Sequence, residues 1–413
     1  MTTTLARASR RSLAVAAVLA GTAACSDFLE VDNPNVIDIK AVDPVQDATA
    51  LANSAQQNFA ATYGWHIMYS SWMTGETLVA ETFPTRNEFG RRDPAESNTS
   101  LNGDVWTTLS LAAASTKIVL DLDLPTPDTN INRARSFLWR GYSFVLMAEA
   151  FCSGTVDSGP ELTTLEMLDS AVANFTSANT IGKAINTSES NALANTALVG
   201  RARAHLQAGR KAQAAADAAA VPDGFVFNLP YVDDLANRNR MSNRLWQFTL
   251  DRGSMTVAEP WRTGDPRVSF KSPSEHTLTP QDPSSGPFYI QNKYPSFTSP
   301  IRVASKLEAD YIAAEAGTTA SQLALIAARR AANGRPAYTG GTDAESVLTE
   351  LMTQKGFDFW LEGKRLGDFR RNPDNVLYVP VPGAAYFKAG FPAIGNKTCY
   401  PLPLQEKDNN PNF

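Results

Sequence analysis

Helical periodicity over most of the chain, interrupted by one long stretch that has none, is the feature that most limits what this sequence can become. Apolar residues return at three- and four-residue steps through residues 43–220 and again through 303–371. Between these blocks, residues 222–302 are rich in Pro, Asp, Gly and Ser and follow neither the helical nor the strand period. No run alternates strongly enough to read as a half-buried strand, so a few short hairpins in the connections are the most β-structure expected. The core must then come from helix packed on helix, which makes the fold mostly α. An irregular segment of this length is rare inside a compact domain and usually carries function. The expectation is a helical scaffold bearing a recognition surface built from loops.

The helices are punctuated. Asp43-Pro44 offers an N-cap with proline at the first helical position, Val45, Ala48, Ala52, Ala55 and Phe59 mark an apolar face, and Gly64 is the expected stop. A second helix is expected over 65–80 and a third behind Asp104, with Trp106 and Leu109 on one face. A fourth, over 131–150, is apolar almost all round at Phe137, Leu138, Phe144, Val145 and Met147, and should be central. Thr163 and Glu166 have capping-box spacing for a fifth. Residues 191–206, Gly209 and 211–220 read as helix, glycine turn and helix, closed by Pro222. Small residues such as Ala197, Ala202, Ala204, Ala212, Ala215 and Ala219 let the two approach closely. This hairpin looks like a tetratricopeptide-type unit, which buries its faces only by stacking on neighbours. Further helices are expected over 303–316, 321–332 and 343–362.

The N-terminus has the layout of a bacterial lipoprotein signal. Arg7, Arg10 and Arg11 precede an apolar run over 13–21 that is too short to span a bilayer, and Thr22-Ala23-Ala24-Cys25 closes it, with Thr22 where leucine is usual. Cleavage would remove residues 1–24 and leave Cys25 as a lipidated first residue; the alternative is an ordinary secretory signal cut before a structural cysteine. Each buried acyl methylene contributes about 0.8 kcal/mol to membrane anchoring. Residues 25–413 then form one domain, with scaffold at 43–220 and 303–371, the insert at 222–302 and a tail over 372–413. The net charge is -5, and since the leader carries three arginines and no acid, the remainder sits near about -8. No basic block is present, which argues against nucleic acid and against anionic lipid headgroups as partners. Beyond Cys25 the only cysteines are Cys152 and Cys399. In an exported protein they are a candidate disulfide, the alternative being two buried free thiols.

Catalytic constellations are scarce. His66, His205 and His276 are isolated and lack metal-ligand spacing, so no metal or cofactor is expected. The stretch from Gly356 to Gly363-Lys364 is too long for a phosphate loop, and Arg365 stands where Ser or Thr is needed. Glu76 and Glu81, five residues apart on an expected helix, point to different faces and read as surface or capping residues. Arg365, Asp368, Arg370 and Arg371 crowd near a helix end, where cations suit the dipole and can pair with Asp358 or Glu362. Aromatics are the better binding candidates, since a sugar ring stacks on Trp or Tyr while Asp, Asn and Arg bond its hydroxyls. Trp246, Trp261 and Tyr289 in the insert, with Phe83, Arg86 and Phe89 in the shorter irregular segment 81–103, are the candidate ligand-binding residues.

Several blocks together resemble the SusD/RagB family of outer-membrane nutrient-binding lipoproteins. The tail Cys399-Tyr400-Pro401-Leu402-Pro403-Leu404-Gln405-Glu406 followed by Asn410-Pro411-Asn412 is similar to that family's closing motif. Cys25-Ser26-Asp27-Phe28-Leu29-Glu30 with Asn33-Pro34 resembles its post-lipidation segment, and Arg133-Ala134-Arg135-Ser136-Phe137-Leu138 with Gly141-Tyr142 its first tetratricopeptide-type helix. Lys293-Tyr294, Glu308-Ala309-Asp310-Tyr311 and Ala328-Arg329-Arg330-Ala331 follow its C-terminal order. Gly356-Phe357 through Trp360-Leu361-Glu362-Gly363-Lys364-Arg365 and Asp368-Phe369-Arg370-Arg371 resembles its most recognisable internal motif, although Gln354-Lys355 replaces the usual acidic-basic entry. Asp265-Pro266-Arg267 resembles a further block and reads as a structural ion pair. The resemblance implies a mostly helical fold with four tetratricopeptide-type helix pairs and a lipid-anchored place on the outer face of the outer membrane. It also implies a SusC-type TonB-dependent transporter as partner and a non-catalytic role with an oligosaccharide, in some members a peptide, as ligand. A lipid-anchored hydrolase is the rival from another class.

Overall fold

Gly64 does not end the first helix. In the computed structural model, which describes residues 42–413, the two helices expected on either side of it are one 26-residue helix, α1, Ala48–Met73. A Cβ at position 64 would lie 2.8 Å from Cβ of Arg244, so the missing side chain makes room for a crossing segment. That close approach outweighs the roughly 1 kcal/mol by which glycine disfavours a helix interior. The helix also starts later than Pro44 implies, because residues 44–47 form a turn. The leader, Cys25 and the segment to Pro34 lie outside the described residues.

The helical scaffold continues through α2 (Pro84–Gly90), α3 (Thr107–Leu120), α4 (Ile131–Ala150), α5 (Thr164–Ile185), α6 (Ser188–Gln207) and α7 (Lys211–Ala219). The central helix of the reading is α4: it is buried nearly throughout from Leu138 onward and packs on α1, α3, α5 and α6. Thr163 and Glu166 close both hydrogen bonds of the capping box at the start of α5, and Thr187 with Ser190 does the same for α6. Successive pairs stack, and Phe175 of α5 is held between Gly141 and Gly200, where added Cβ atoms would stand 2.8 and 2.4 Å from its ring. The second helical block supplies α8 (Lys306–Ala316), α9 (Thr319–Ala332), α10 (Ala344–Asp358) and α11 (Arg365–Arg371), and a last turn, α12 (Leu404–Asn409), lies in the tail. Helix α8 covers α6 and α7 through Ile312, Leu198, Ala202 and Ala218. Residues 303–305, expected to be helical, belong instead to a strand, and α10 stops at Asp358 rather than 362.

The strands are short: β1 (Thr77–Val79), β2 (Ser153–Gly154), β3 (Leu162–Thr163), β4 (Val226–Leu229), β5 (Met255–Val257), β6 (Phe270–Lys271), β7 (Ile290–Gln291) and β8 (Ile301–Ser305). They form four antiparallel pairs, β1 with β5, β2 with β3, β4 with β8 and β6 with β7. Two of these are not local hairpins. Thr77 opposite Val257 and Val226 opposite Ser305 join distant parts of the chain and tie the insert to the scaffold. The insert is accordingly ordered, and most of its aromatics are inward: Tyr231, Phe248, Trp261, Phe288, Tyr294 and Phe297 are buried.

The tail is pinned beside the end of α4. Cys152 N donates to Tyr400 O at 2.9 Å, Tyr400 N donates to Ala150 O at 2.7 Å, and Cys152 and Cys399 are disulfide-bonded with Cα atoms 5.2 Å apart. Ion pairs hold the internal motif, in a different pattern from the one expected. Asp358 takes Arg329 at 2.7 Å and Arg267 at 3.3 Å, and Glu362 takes Lys293 at 2.6 Å and Arg302 at 2.9 Å. Arg371 instead pairs with Glu315 at 2.9 Å and Asp368 at 2.7 Å, and Arg370 donates to the Phe151 carbonyl. Asp265 and Arg267 do pair, at 2.8 Å. Among the described residues no helix is long and apolar enough to cross a membrane.

Candidate functional site

Helix α1 ends in a turn at Gly75, and the chain passes through β1 to Phe83, which stands just before α2 with proline at the first helical position. This path sets Arg86 between two carboxylates. Its Nη1 donates to both oxygens of Glu81 at 3.0 Å, its Nη2 to Asp104 at 3.1 Å, and its Nε to the Tyr69 hydroxyl at 3.2 Å. Burial works against the guanidinium charge, but Tyr69, Glu81 and Asp104 outweigh it and raise its pKa. Tyr69 is likewise raised, by burial first and then by Asp104. Arg86 is therefore a fixed cation whose plane supports rings, 5.0 Å from the centroids of both Phe83 and Phe248 and 5.8 Å from that of Trp65.

The facing wall comes from a short helical turn, Arg244–Trp246, running into a π-helical turn, Gln247–Asp251. Asn243 starts it by accepting from the backbone N–H groups of Leu245 and Trp246. Phe248 meets Trp65 nearly edge-on at 5.2 Å, Arg244 lies 4.1 Å over the Trp65 ring, and exposed Arg252 lies 4.7 Å over Phe248. Trp246, half-buried, packs on Phe297 at 3.8 Å, and Arg238 lies 4.3 Å from the far partner's ring. The result is a cluster of aromatic rings and guanidinium groups in which Phe248, Arg86 and Arg244 are buried, Trp65 is half-buried, and Phe83, 45% exposed, and Arg252 reach the surface. Such a face offers flat apolar platforms flanked by hydrogen-bond donors, the elements that stacking on a ring-shaped polar ligand requires.

Of the six residues singled out for binding, Phe83 and Arg86 belong to this cluster, and Trp246, on the adjoining helical turn, is half-buried against Phe297. Phe89 and Trp261 do not, and the expectation for them is corrected. Phe89 is fully buried, edge-on to Tyr69 at 4.5 Å and to Tyr400 at 5.0 Å. Trp261 is 1% exposed, donates its indole N–H to Gly75 O at 2.8 Å and carries the Arg365 guanidinium 4.6 Å from its ring. Tyr289 is half-buried elsewhere, with Arg262 3.9 Å over it and Phe270 at 6.1 Å. Sequence reasoning missed Trp65, Phe248, Arg252 and Asp104. Trp65 and Tyr69 are spaced four apart on one face of α1, and that pair of rings was the available signal.

Glu76 and Glu81 are also corrected: neither is on a helix, and both are buried. Glu76 accepts from Leu361 N at 2.9 Å, and burial pushes its pKa up to about 7. His66 is pushed down to about 3, by burial and then by the Arg203 charge, and is neutral. Among the described residues no three His, Cys, Asp or Glu side chains are grouped to hold a metal ion. Two clefts share elements with the aromatic face. One, of ≈ 460 Å³, is of mixed character, lined by residues including Trp106, Leu111, Asp157 and Gln405; the other, of ≈ 360 Å³, is apolar, between Leu78, Pro260 and the tail at Tyr378 and Phe387.

Neither a protein-family model nor a curated protein matches the sequence. Solved structures do match the fold. A SusD superfamily protein from Bacteroides thetaiotaomicron aligns with a TM-score of 0.65 at 14% identity, covering 89% of this chain and 98% of that one. Surface glycan-binding protein A from Bacteroides fluxus aligns with a TM-score of 0.63 at 14% identity, over 89% and 99% of the two chains. A SusD-like carbohydrate binding protein from Bacteroides vulgatus gives 0.60 at 15% identity over 79% and 83%. The chain therefore has the SusD-like, mostly helical fold across nearly all of its described length.

Proposed function

We propose that the chain is a SusD/RagB family lipoprotein that captures a nutrient oligosaccharide at the cell surface and passes it to a SusC-type TonB-dependent transporter. The family motifs lie in order along the sequence, and the fold matches a solved SusD superfamily protein over 89% of the chain. The leader and Cys25 give the anchor: residues 1–24 are removed and the acylated cysteine holds the domain to the outer membrane, facing outward. The observation that carries the ligand reading is the cluster of exposed Phe83 and Arg252 with half-buried Trp65 around Arg86, with half-buried Trp246 on the adjoining turn. The role is read as binding without catalysis, and the two carboxylates at Arg86, Glu81 and Asp104, are both held by its guanidinium.

The test pairs affinity with stability, on the chain lacking residues 1–25, against panels of soluble glycans and peptides. Phe83→Ala and Trp246→Ala should each weaken glycan binding by about 1 to 3 kcal/mol, by analogy with aromatic stacking elsewhere, with melting temperature nearly unchanged. Trp261→Ala should instead cost about 3 to 5 kcal/mol of folding stability. Glycan binding that both face variants leave intact would move the site elsewhere. Retention of peptides alone would make the ligand a peptide, and sustained polysaccharide breakdown by the purified protein would favour a hydrolase.

A further inference from the structure

The apolar cleft of ≈ 360 Å³ lies where β1 and the end of α2 meet the tail, with Leu78, Pro260, Tyr378, Val381, Phe387 and Ile394 on its walls. It opens to solvent: Tyr378 is 42%, Val381 66% and Phe387 37% exposed. Its walls depend on backbone that few residues allow. Tyr378 sits at φ 66°, in the left-handed region that bulky side chains seldom enter, and strain of this kind gathers at binding sites. The Arg365 guanidinium holds the bend through the Leu377 carbonyl, and Gly75 permits it, since a Cβ there would stand 2.5 Å from the Tyr378 carbonyl oxygen. Gly90 likewise makes room for Tyr386, whose hydroxyl would lie 2.8 Å from an added Cβ.

Arg91 adjoins this cleft. It follows Gly90 of the wall, and its carbonyl accepts from Gly395 N at 2.7 Å, next to Ile394. Burial raises the pKa of the Tyr386 hydroxyl, and the Arg91 charge is near enough to oppose that rise. Arg91 is 9% exposed, its Nε is buried without a hydrogen-bond partner, and its guanidinium makes no ion pair or side-chain hydrogen bond among the described residues. The surrounding acids are engaged elsewhere: Asp93 with Lys397 at 2.8 Å, Asp282 with Lys388 at 2.8 Å, Glu81 with Arg86 at 3.0 Å, and Glu88 with Asn98 and Ala95 N. Arg92 gives its donors to the Lys397 and Pro380 carbonyls and has no acid partner either. A nearly buried cation without a counter-charge is costly, and an anion whose body fills the adjoining apolar cleft would answer it.

We propose that this cleft binds an aryl carboxylate, its ring against Tyr378, Pro260 and Phe387 and its carboxylate on the Arg91 guanidinium. Charge complementarity selects the acid. The flat rings and prolines of the walls select an aromatic body, and the volume falls in the range of about 300 to 1,000 Å³ usual for small-molecule sites. The site uses none of the rings clustered around Arg86, and neither reading requires the other.

Binding is read by calorimetry on the protein lacking residues 1–25, at constant ionic strength. The probes are phenylacetate, 2-phenylethanol, which keeps the ring without the charge, acetate, which keeps the charge without the ring, and octanoate, which replaces the ring with a chain. Phenylacetate should bind saturably and the other three at least about tenfold more weakly. Arg91→Gln, which removes an unpaired cation, should weaken phenylacetate about tenfold, leave 2-phenylethanol unchanged and not lower the melting temperature. Val381→Asp places a like charge on the cleft wall at an exposed position and should weaken phenylacetate to a similar degree. Should Arg91→Gln fail to fold, Val381→Asp decides alone. Absence of saturable phenylacetate binding, equal affinity in wild type and Val381→Asp, or octanoate bound as tightly as phenylacetate would overturn the proposal.

Discussion

Glu76 shows how far one residue's environment departs from what its neighbours in sequence imply. Its carboxylate is buried at the junction of α1 with the internal motif, with one oxygen accepting from Leu361 N and the other without a hydrogen-bond partner. Burial raises its pKa from 4.5 to about 7, against the opposing pull of Arg365 and Lys293. A raised carboxyl pKa means that the folded state keeps a proton that the unfolded state has lost. Its stabilising contribution is then complete below about pH 4.5 and is lost as pH rises to about 7. The amplitude is on the order of 3 kcal/mol, at 1.36 kcal/mol per unit. Glu76→Gln, which keeps an acceptor for Leu361, should remove this component. Relative to wild type, its unfolding free energy in urea should improve between pH 4.5 and 8, and parallel curves for the two proteins across that range would show that Glu76 does not titrate there. The same blindness to burial explains the aromatic residues. Phe83 and Trp261 both sit in irregular sequence among polar neighbours, and nothing local distinguishes a ring facing solvent from one laid over Gly75.

At the scale of elements, signals that are local in sequence were legible and signals that depend on a distant partner were not. The bounds of α4 and the capping box of α5 follow from residues within one or two turns, and both stand as read. The continuity of α1 through Gly64 depends on Arg244, and the β1–β5 and β4–β8 pairs depend on strands far along the chain, so no local pattern announces them. Close helix approach in the repeat region was legible from its alanines, but the tightest contact uses glycines. Gly200 lies so near the Phe175 ring that a Cβ would stand at 2.4 Å. Alanine there gains about 1 kcal/mol of helix propensity and incurs about 1 to 3 kcal/mol of overpacking, so Gly200→Ala should be net destabilising. Thermal unfolding checks it, with a rescue: Phe175→Leu should destabilise the wild type but cost less in the Gly200→Ala background. Additive effects would mean that the two residues do not share the contact.

For the whole molecule, the question is what keeps a 42-residue tail of mostly irregular chain on a helical scaffold. Tyr400 is buried and meets Phe89 and Phe151 edge-on, and Glu406 accepts from the Trp106 indole and the Thr155 hydroxyl. These contacts close a ring that begins at the end of α4, and the disulfide makes the closure covalent across a sequence separation of 247. A crosslink spanning so long a loop acts chiefly on the unfolded chain, and the chain-entropy relation gives about 5 kcal/mol as an upper figure, because residual structure in the unfolded state lowers it. The double variant Cys152→Ala, Cys399→Ala should therefore unfold at lower denaturant than wild type, by a free energy approaching that figure. Its tail should remain docked at low denaturant, since Tyr400 and Glu406 keep their partners. Wild-type protein treated with reductant should unfold with the variant's midpoint. Coincident midpoints for oxidised wild type and variant would mean that packing of the tail, and not the bond, holds the ring closed.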